Sequence, residues 1–367
     1  MPRERVADFS VEYTQVLDAD GAVDEELAPD VDDDLLETMY RTMKRSRRLD
    51  ERAVALQRRG ELGTYAPAMG QEAAQIGSAL ALRETDWMVP AFREHPAYLA
   101  RGTAAHQILL YAMGMEEGAE IPAGSNDLPP SIAVGSQPLH AVGIGWGQAI
   151  DGADAAALTY FGDGATSEGD VYEALNLAGV YDAHAVFLCQ NNQYAISVPR
   201  SGQTRAETLA QKAIAGGIEG RQVDGNDVLG VYAATMDALE SAREGDPVFL
   251  EALTYRRLMH TTSDDPTRYR TAEEEEEWEE KDPIRRFERY LTDRGLLDDD
   301  AIERVEDEIE EELAAEIEQA REREAALDPA DMFRFVYADL PSGIERQRAA
   351  FERDEADSGE GVSGDAE

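Results

Sequence analysis

The chain has 367 residues, enough for one large or two ordinary domains around a sizeable apolar core. Its formal charge is −43, from 77 acidic against 34 basic residues, and only three of the basic ones are lysine (Lys44, Lys212 and Lys281). A field of that sign weighs against nucleic acid and anionic membranes as partners. The acid is spread over residues 18–34, 116–127, 273–282 and 298–324 rather than gathered in one tail. An acidic, lysine-poor surface of this kind suits a halophilic cytoplasm, where salt screens the self-repulsion.

Cys189 is the only cysteine, so no intramolecular disulfide is available and a reducing compartment is expected. The opening MPRERVADFS has no apolar signal core, and no uninterrupted apolar run approaches the length of a membrane span. The expected setting is cytoplasmic.

Residues 1–33 are acidic and poorly periodic and read as a flexible arm. Apolar residues at helical spacing predict a helix over Leu35–Arg59, stopped at Gly60. A second helix, rich in small residues, opens at Gly70, and Trp87–Pro90 reads as a short strand. Phe92-Arg93 follows; Arg93 can grip a phosphate bidentately or pair with Glu94 or Asp86. A Pro/Gly/Asn loop (Ile121–Pro130) and Ile132–Gln137 lead into a helix over Pro138–Ile150. Gly143, Gly145 and Gly147 lie inside that helix, so they suggest close packing rather than a dinucleotide fingerprint.

The stretch Leu158–Ser197 organises the rest. An apolar run (Ala155–Phe161) ends in Gly162-Asp163-Gly164, a helical pattern follows, and a second apolar run (Ala185–Cys189) ends in Asn191-Asn192. This is one right-handed βαβ unit of a parallel sheet, and ligands bind beyond the carboxyl ends of such strands. Mg²⁺ takes six oxygens at about 2.1 Å, commonly from a carboxylate, another protein oxygen, water and substrate phosphates. Asp163 offers the carboxylate, Asn192 an amide oxygen and Tyr194 a backbone carbonyl. Gly162 and Gly164 let the turn approach a diphosphate, and a helix start after Gly164 would supply amide donors. The plain alternative is a strand-to-helix turn and an unrelated Asn-Asn turn; the two motifs together favour the metal–diphosphate site.

None of the three lysines follows a glycine, so no P-loop is possible, and the five histidines show no zinc-ligand clustering. Strands are predicted at Arg221–Asp224 and Val248–Tyr255, with a helix over Val228–Arg243 between them. The loop after the second carries Arg256, Arg257 and His260, which suit either a diphosphate and a developing charge or plain solvation. Glu273–Glu280 reads as a solvated helix start. Ile302, Val305, Ile309, Leu313 and Ile317 make an apolar stripe that packs on the domain or on a partner. From Arg353 the chain reads as an acidic disordered tail. The expected division is an arm (1–33), one α/β domain with helical additions (34–340) and a C-terminal segment (341–367).

GDG, 26 intervening residues and NN resemble the thiamine diphosphate motif of thiamine enzymes. TYFGDGATSEGD, QNNQYAIS, VDGNDVLGVYAA and SDDPTRYR narrow this. Together they resemble the alpha subunit of the thiamine-dependent decarboxylase of 2-oxo acid dehydrogenase complexes, the bacterial pyruvate dehydrogenase type above all. The likeness runs from about Met39 to Leu340. It implies a doubly wound parallel sheet with helices on both faces, the thiamine diphosphate-binding fold. It also implies thiamine diphosphate and Mg²⁺ as cofactors, with Asp163, Asn192 and the Tyr194 carbonyl on the metal.

By the same resemblance Phe92, Arg93, Gly164, Ala165 and Arg256 contact the cofactor, the backbone at Ile132 and Val134 holds its aminopyrimidine, and His260 is the catalytic histidine. Where some relatives have a second histidine this chain has Met259, and Thr261 stands where mitochondrial ones have a phosphorylated serine, so phospho-regulation is not carried over. The implied partners are a beta subunit, in an assembly of two alpha and two beta chains, and a lipoyl-bearing acyltransferase. A branched-chain 2-oxo acid or acetoin enzyme is the alternative on the same scaffold. A catalytically silent partner-binding scaffold is the alternative of another class.

The charge generates the first prediction. From molar salt to about 0.1 M, the Debye length grows from about 3 Å to about 10 Å, which exposes the acidic self-repulsion. The melting temperature should fall sharply along that series, and one indifferent to salt would overturn the halophilic reading.

Overall fold

Parallel strands covered by helices on both faces read as continuous apolar runs, and every residue of Ala185–Asn191 is buried. The computed structural model describes residues 3–326, 328–334 and 337–360, with side chains to 354. In chain order the strands are β1 (Tyr13–Thr14), β2 (Trp87–Val89), β3 (Ala157–Gly162), β4 (Ala185–Asn191), the hairpin pair β5 (Tyr194–Ala195) and β6 (Val198–Pro199), β7 (Glu219–Asp224) and β8 (Val248–Leu253). The helices before β3 are α1 (Asp33–Arg58), α2 (Glu72–Leu80), α3 (His95–Ala100), α4 (Ala105–Met113) and α5 (Gln137–Asp151). After it come α6 (Gly169–Tyr181), α7 (Arg200–Gln203), α8 (Gln211–Ala215) and α9 (Val228–Arg243). The C-terminal part holds α10 (Ala272–Glu280), α11 (Pro283–Asp293), α12 (Asp299–Ala326) and α13 (Ser342–Glu360).

Six strands form one sheet in the order β1-β7-β8-β4-β3-β2, every pairing parallel. From β2 to β4 the chain moves steadily one way, then crosses over to β7 and returns to β8. The order therefore breaks between β4 and β8, the place where such sheets open a crevice. Side chains alternate across it. Phe161, Phe187, Cys189 and Phe249 pack with Val142 of α5 and with Val171, Ala174 and Leu175 of α6. On the opposite face Tyr160 shares a 2.9 Å hydrogen bond with Ser78 of α2. The expected doubly wound architecture is what forms.

The arm over 1–33 differs from expectation. Tyr13 and Thr14 pair in parallel with Gln222 and Val223 as the edge strand, and Val16 and Leu17 are buried. Their amides donate to Asp227 Oδ2 at 2.6 and 2.7 Å, and Asp227 also caps α9 by accepting from Leu229 and Gly230. Two adjacent apolar residues in an acidic stretch carry no periodicity, so the docking is invisible until the sheet is assembled.

Other expectations shift in detail. A 3-10 turn occupies Asp163–Ser167, and α6 begins only at Gly169, not at Gly164. Of the three glycines in α5, only Gly145 is packed closely; a Cβ there would meet the His184 backbone at 2.6 Å, whereas Gly143 and Gly147 face open space. By its internal contacts the chain divides into two units, Met1–Ile317 and Glu318–Glu367. In the second unit α13 runs to Glu360 where a disordered tail is expected, with Phe333 and Phe351 in contact at 5.8 Å. The rest of that tail, 361–367, lies outside the described residues.

The apolar stripe is spent inside the first unit. Ile309 and Leu313 are buried, and Ile302 and Val305 pack on a core shared by Leu36, Met39 and Phe287. Around it the acidic α12 meets the basic α1. Arg41 pairs with Glu308 and Glu312, Lys44 with Glu306, Arg45 with Glu316, and both Arg48 and Arg52 with Glu310. No described helix is long and apolar enough to cross a membrane.

Asp227→Ala should destabilise the protein by about 2 kcal/mol or more, beyond the roughly 1 kcal/mol of a lone cap, because the Val16 and Leu17 amides are orphaned as well. Denaturant melts of the variant test this. A loss no larger than a cap would mean that the arm contributes nothing.

Candidate active site

The carboxyl ends of β2, β3, β4 and β8 converge on a cavity of about 300 Å³. Beyond β3, Asp163 is buried, and its Oδ2 accepts from Gln203 Nε2 at 2.5 Å. Beyond β4, Asn192 donates through Nδ2 to Gln71 Oε1 at 2.9 Å. This turns Asn192 Oδ1 toward two other oxygens, the Tyr194 carbonyl at 3.1 Å and Asp163 Oδ1 at 3.3 Å. Adjacent ligands on an octahedron with bonds of about 2.1 Å lie about 3.0 Å apart, close to the two separations that Asn192 makes with Tyr194 and Asp163. The reversed amide would instead donate to both oxygens. The two orientations therefore differ by whether a cation stands at the junction. Burial raises the Asp163 carboxyl above its usual range, against the pull of Gln203 and Arg256; a cation would reverse that shift.

Two glycines make the convergence possible. A Cβ on Gly164 would stand 2.7 Å from that of Ala195, so the turn after β3 closes on β5 only without one. Gly70, at φ +96°, brings its α-carbon against the Tyr255 carbonyl, 2.2 Å from where a Cβ would be.

Beside the oxygens lie two buried guanidiniums. Arg93 is 5% exposed and Arg256 0%. Arg93 donates to the Pro67 carbonyl at 2.7 Å and to the His260 carbonyl at 3.0 Å. Arg256 donates to the carbonyls of Tyr194 and Ile196 and to the Tyr269 hydroxyl, at 3.2, 2.7 and 3.0 Å. Neither forms an ion pair among the described residues. Asp86, one partner considered for Arg93, is taken by Arg243 at 2.5 Å, and Glu94 accepts from the Arg93 backbone amide and from Gln190. Burial, and then the charge of Arg256, lowers the Arg93 pKa to about 10. Unpaired buried cations are costly, and these two border a cavity.

His260 sits between them. Its Nδ1 faces Arg93 Nη2 at 3.0 Å and Arg256 Nη1 at 3.4 Å. Guanidinium only donates, so Nδ1 must accept, which assigns the ring proton to Nε2. Burial, then Arg93 and Arg256, push the imidazole down to about 4. The loop is held by Asp264, whose Oδ2 accepts from the His260 amide at 2.7 Å and the Tyr269 hydroxyl at 2.6 Å. Arg270 lies over the rings of Tyr194, Tyr255 and Tyr269 at 5.2, 5.0 and 5.6 Å.

The family model described as the dehydrogenase E1 component matches residues 40–327. The chain belongs to the dehydrogenase E1 component family. It is 43% identical over 348 residues to the pyruvate dehydrogenase E1 component subunit alpha of Staphylococcus epidermidis, covering 94% of each chain. It is 42% identical, with the same coverage, to the protein of that name from Staphylococcus aureus. Thiamine diphosphate is the cofactor this family implies.

Within this E1 chain, Phe92, Arg93, Val134, Asp163, Gly164, Ala165, Asn192, Tyr194, Arg256 and His260 all border the one cavity. Ile132 does not; it is 66% exposed and lies on an adjoining groove with Tyr65, His95 and Tyr111. Val134, 54% exposed, borders both. Gln71, Gln203, Asp264, Tyr269 and Arg270 were not assigned from sequence. The last three belong to SDDPTRYR, where the order of acid, tyrosine and arginine was a usable signal. A lone glutamine on a loop offers none. No cluster of three or more His, Cys, Asp or Glu side chains forms a metal site among the described residues.

A pH prediction follows from His260. Folded it is neutral above about 4, while the unfolded chain regains an ordinary value of about 6.5. Between these values the unfolded state binds more protons, so this residue's effect is to lower stability as pH falls through that window. In cofactor-free protein, His260→Asn should therefore lose less melting temperature than the native chain between pH 7 and pH 5. Equal losses would show that the imidazole titrates normally.

Proposed function

We propose that this chain is the alpha subunit of a pyruvate dehydrogenase E1 component, and that the cavity holds the diphosphate end of thiamine diphosphate with Mg²⁺. The observation that carries this is the pair of buried guanidiniums without an ion-pair partner among the described residues, beside an Asn192 oxygen that stands 3.1 and 3.3 Å from those of Tyr194 and Asp163. Asp163, Asn192 and the Tyr194 carbonyl hold the metal, and Arg93 and Arg256 take the diphosphate charge. Gly162, where a Cβ would meet nothing within 4 Å, leaves room beside it. Phe92, Gly164 and Ala165 line the cofactor, and the backbone at Ile132 and Val134 faces its aminopyrimidine. Thiamine diphosphate, when bound, supplies the carbanion chemistry that decarboxylates a 2-oxo acid. His260, neutral with its proton on Nε2, donates to the reacting acyl group during transfer to a lipoyl acceptor.

The curated relatives bear the pyruvate dehydrogenase name, which favours pyruvate over branched-chain 2-oxo acids or acetoin. The subunit name supports a beta subunit as partner, and the complex it belongs to supports a lipoyl-bearing acyltransferase. Only one GDG…NN unit is present, so the assembly of two alpha and two beta chains completes the site. The acid-rich surface and the buried free Cys189 support a cytoplasmic, salt-rich setting.

Reconstituted with its beta subunit, the chain should turn over pyruvate faster than either alternative substrate, and alone it should turn over none. Asp163→Ala in the assembled enzyme should weaken Mg²⁺-dependent cofactor binding more than Asn192→Ala, because it removes the charged ligand. Unchanged cofactor affinity in Asp163→Ala would remove the metal-site reading.

A further inference from the structure

Between β4 and α8 the chain leaves the sheet and passes over the metal residues as a strap, residues 195–210, containing β6 and α7. The C-terminal end of the strap is tied to β8 and, through it, to β4. Leu209 and Ala210 amides donate to Glu251 Oε2 at 2.8 and 3.1 Å, and Glu251 Oε1 accepts from Asn191 Nδ2 at 2.6 Å. Lys212, one of only three lysines, donates to the Thr166 carbonyl and hydroxyl at 2.7 and 2.8 Å. Thr166 in turn donates to the Asp163 carbonyl at 2.7 Å. Gln203 is the strap residue that reaches the Asp163 carboxylate itself.

The geometry points to Gln203 as a positioning residue that restricts Asp163 to coordination through one oxygen and so selects a small octahedral cation. This rests on the metal site proposed above. Gln203 Nε2 donates to Asp163 Oδ2 at 2.5 Å and to the Val198 carbonyl at 3.2 Å. Two acceptors at one amide nitrogen fix which way the amide faces. With one lone pair of Oδ2 engaged and Oδ2 held toward the strap, Oδ1 is the oxygen that faces Asn192, at 3.3 Å. The Gln203 amide oxygen is buried without a hydrogen-bond partner among the described residues, so it is free to accept from a water on the cation. Mg²⁺ demands near-octahedral geometry, usually with one-oxygen carboxylates and retained waters, whereas Ca²⁺ accepts bidentate carboxylates and six to eight ligands. A carboxylate released from Gln203 can swing to bidentate, which favours the larger ion.

The test uses the enzyme assembled with its beta subunit, titrated with Mg²⁺ and separately with Ca²⁺ at saturating thiamine diphosphate. Cofactor binding is followed spectroscopically, independently of turnover. Residues that orient metal ligands typically contribute 10–100-fold in affinity. Gln203→Leu should lose about 10-fold or more for Mg²⁺ and much less for Ca²⁺, so that the Mg²⁺/Ca²⁺ preference falls. Gln203→Glu, which replaces the donor with a second carboxylate oxygen at the same reach, should shift the preference the same way. It serves as the measurement if the leucine variant does not assemble. Equal losses for both ions, or no loss, would overturn the inference. Asp163→Ala separates the two claims: if it abolishes cofactor binding while the Gln203 variants keep the native ion preference, only the role of Gln203 is wrong.

Discussion

Arg93 and Arg256 are buried beside a cavity, and neither has an ion-pair partner among the described residues. Carbonyl oxygens of Pro67, Tyr194, Ile196 and His260 hold them in position, dipoles that orient a guanidinium without cancelling its charge. Much of the surrounding structure exists to support this. Asp50, buried in α1, accepts from the Tyr65 hydroxyl at 2.6 Å and the Ala68 amide at 2.8 Å, and so fixes the segment that presents Pro67 to Arg93. Gly70 brings the segment following Ala68 against the end of β8, from which Arg256 emerges. A bound anion would release electrostatic free energy that the empty fold has stored, which ties cofactor affinity to the rigidity of these supports.

The molecule as a whole inverts that arrangement. Its sequence is acidic overall, with a formal charge of −43, while two buried guanidiniums without an ion-pair partner among the described residues border one cavity. Five basic residues of α1, Arg41, Lys44, Arg45, Arg48 and Arg52, form ion pairs with α12. Exposed pairs of this kind are worth little singly, but a network shared along two helices can hold its geometry. A net charge of this sign repels an anionic cofactor at long range, and salt shortens the range of that field.

The central βαβ unit was legible because buried parallel strands are unbroken apolar runs, and because glycine and asparagine mark where they stop. That placed Asp163, Asn192 and Tyr194 at strand ends before any coordinates. His260 and Arg256 were legible as residues just beyond β8, and the resemblance gave them roles. What sequence could not carry was the second layer. Gln71 and Gln203 reach Asn192 and Asp163 across 121 and 40 positions of chain, and an amide side chain has no spacing rule to announce such contacts. The edge strand was hidden for a related reason. Tyr13 and Thr14 are too few to show alternation, and their partner strand lies more than 200 residues away.

That separation matters for how the chain is made. Val16 and Leu17 leave the ribosome early, yet the Asp227 carboxylate that receives their amides follows 210 and more residues later. At a synthesis rate of about 5–20 residues per second, the interval is roughly 10–40 s. Until Asp227 is made those two amides lack their acceptor, and β8, which pairs with both β4 and β7, follows later still. An early segment that looks dispensable in the sequence is therefore anchored by a residue made more than 200 positions after it.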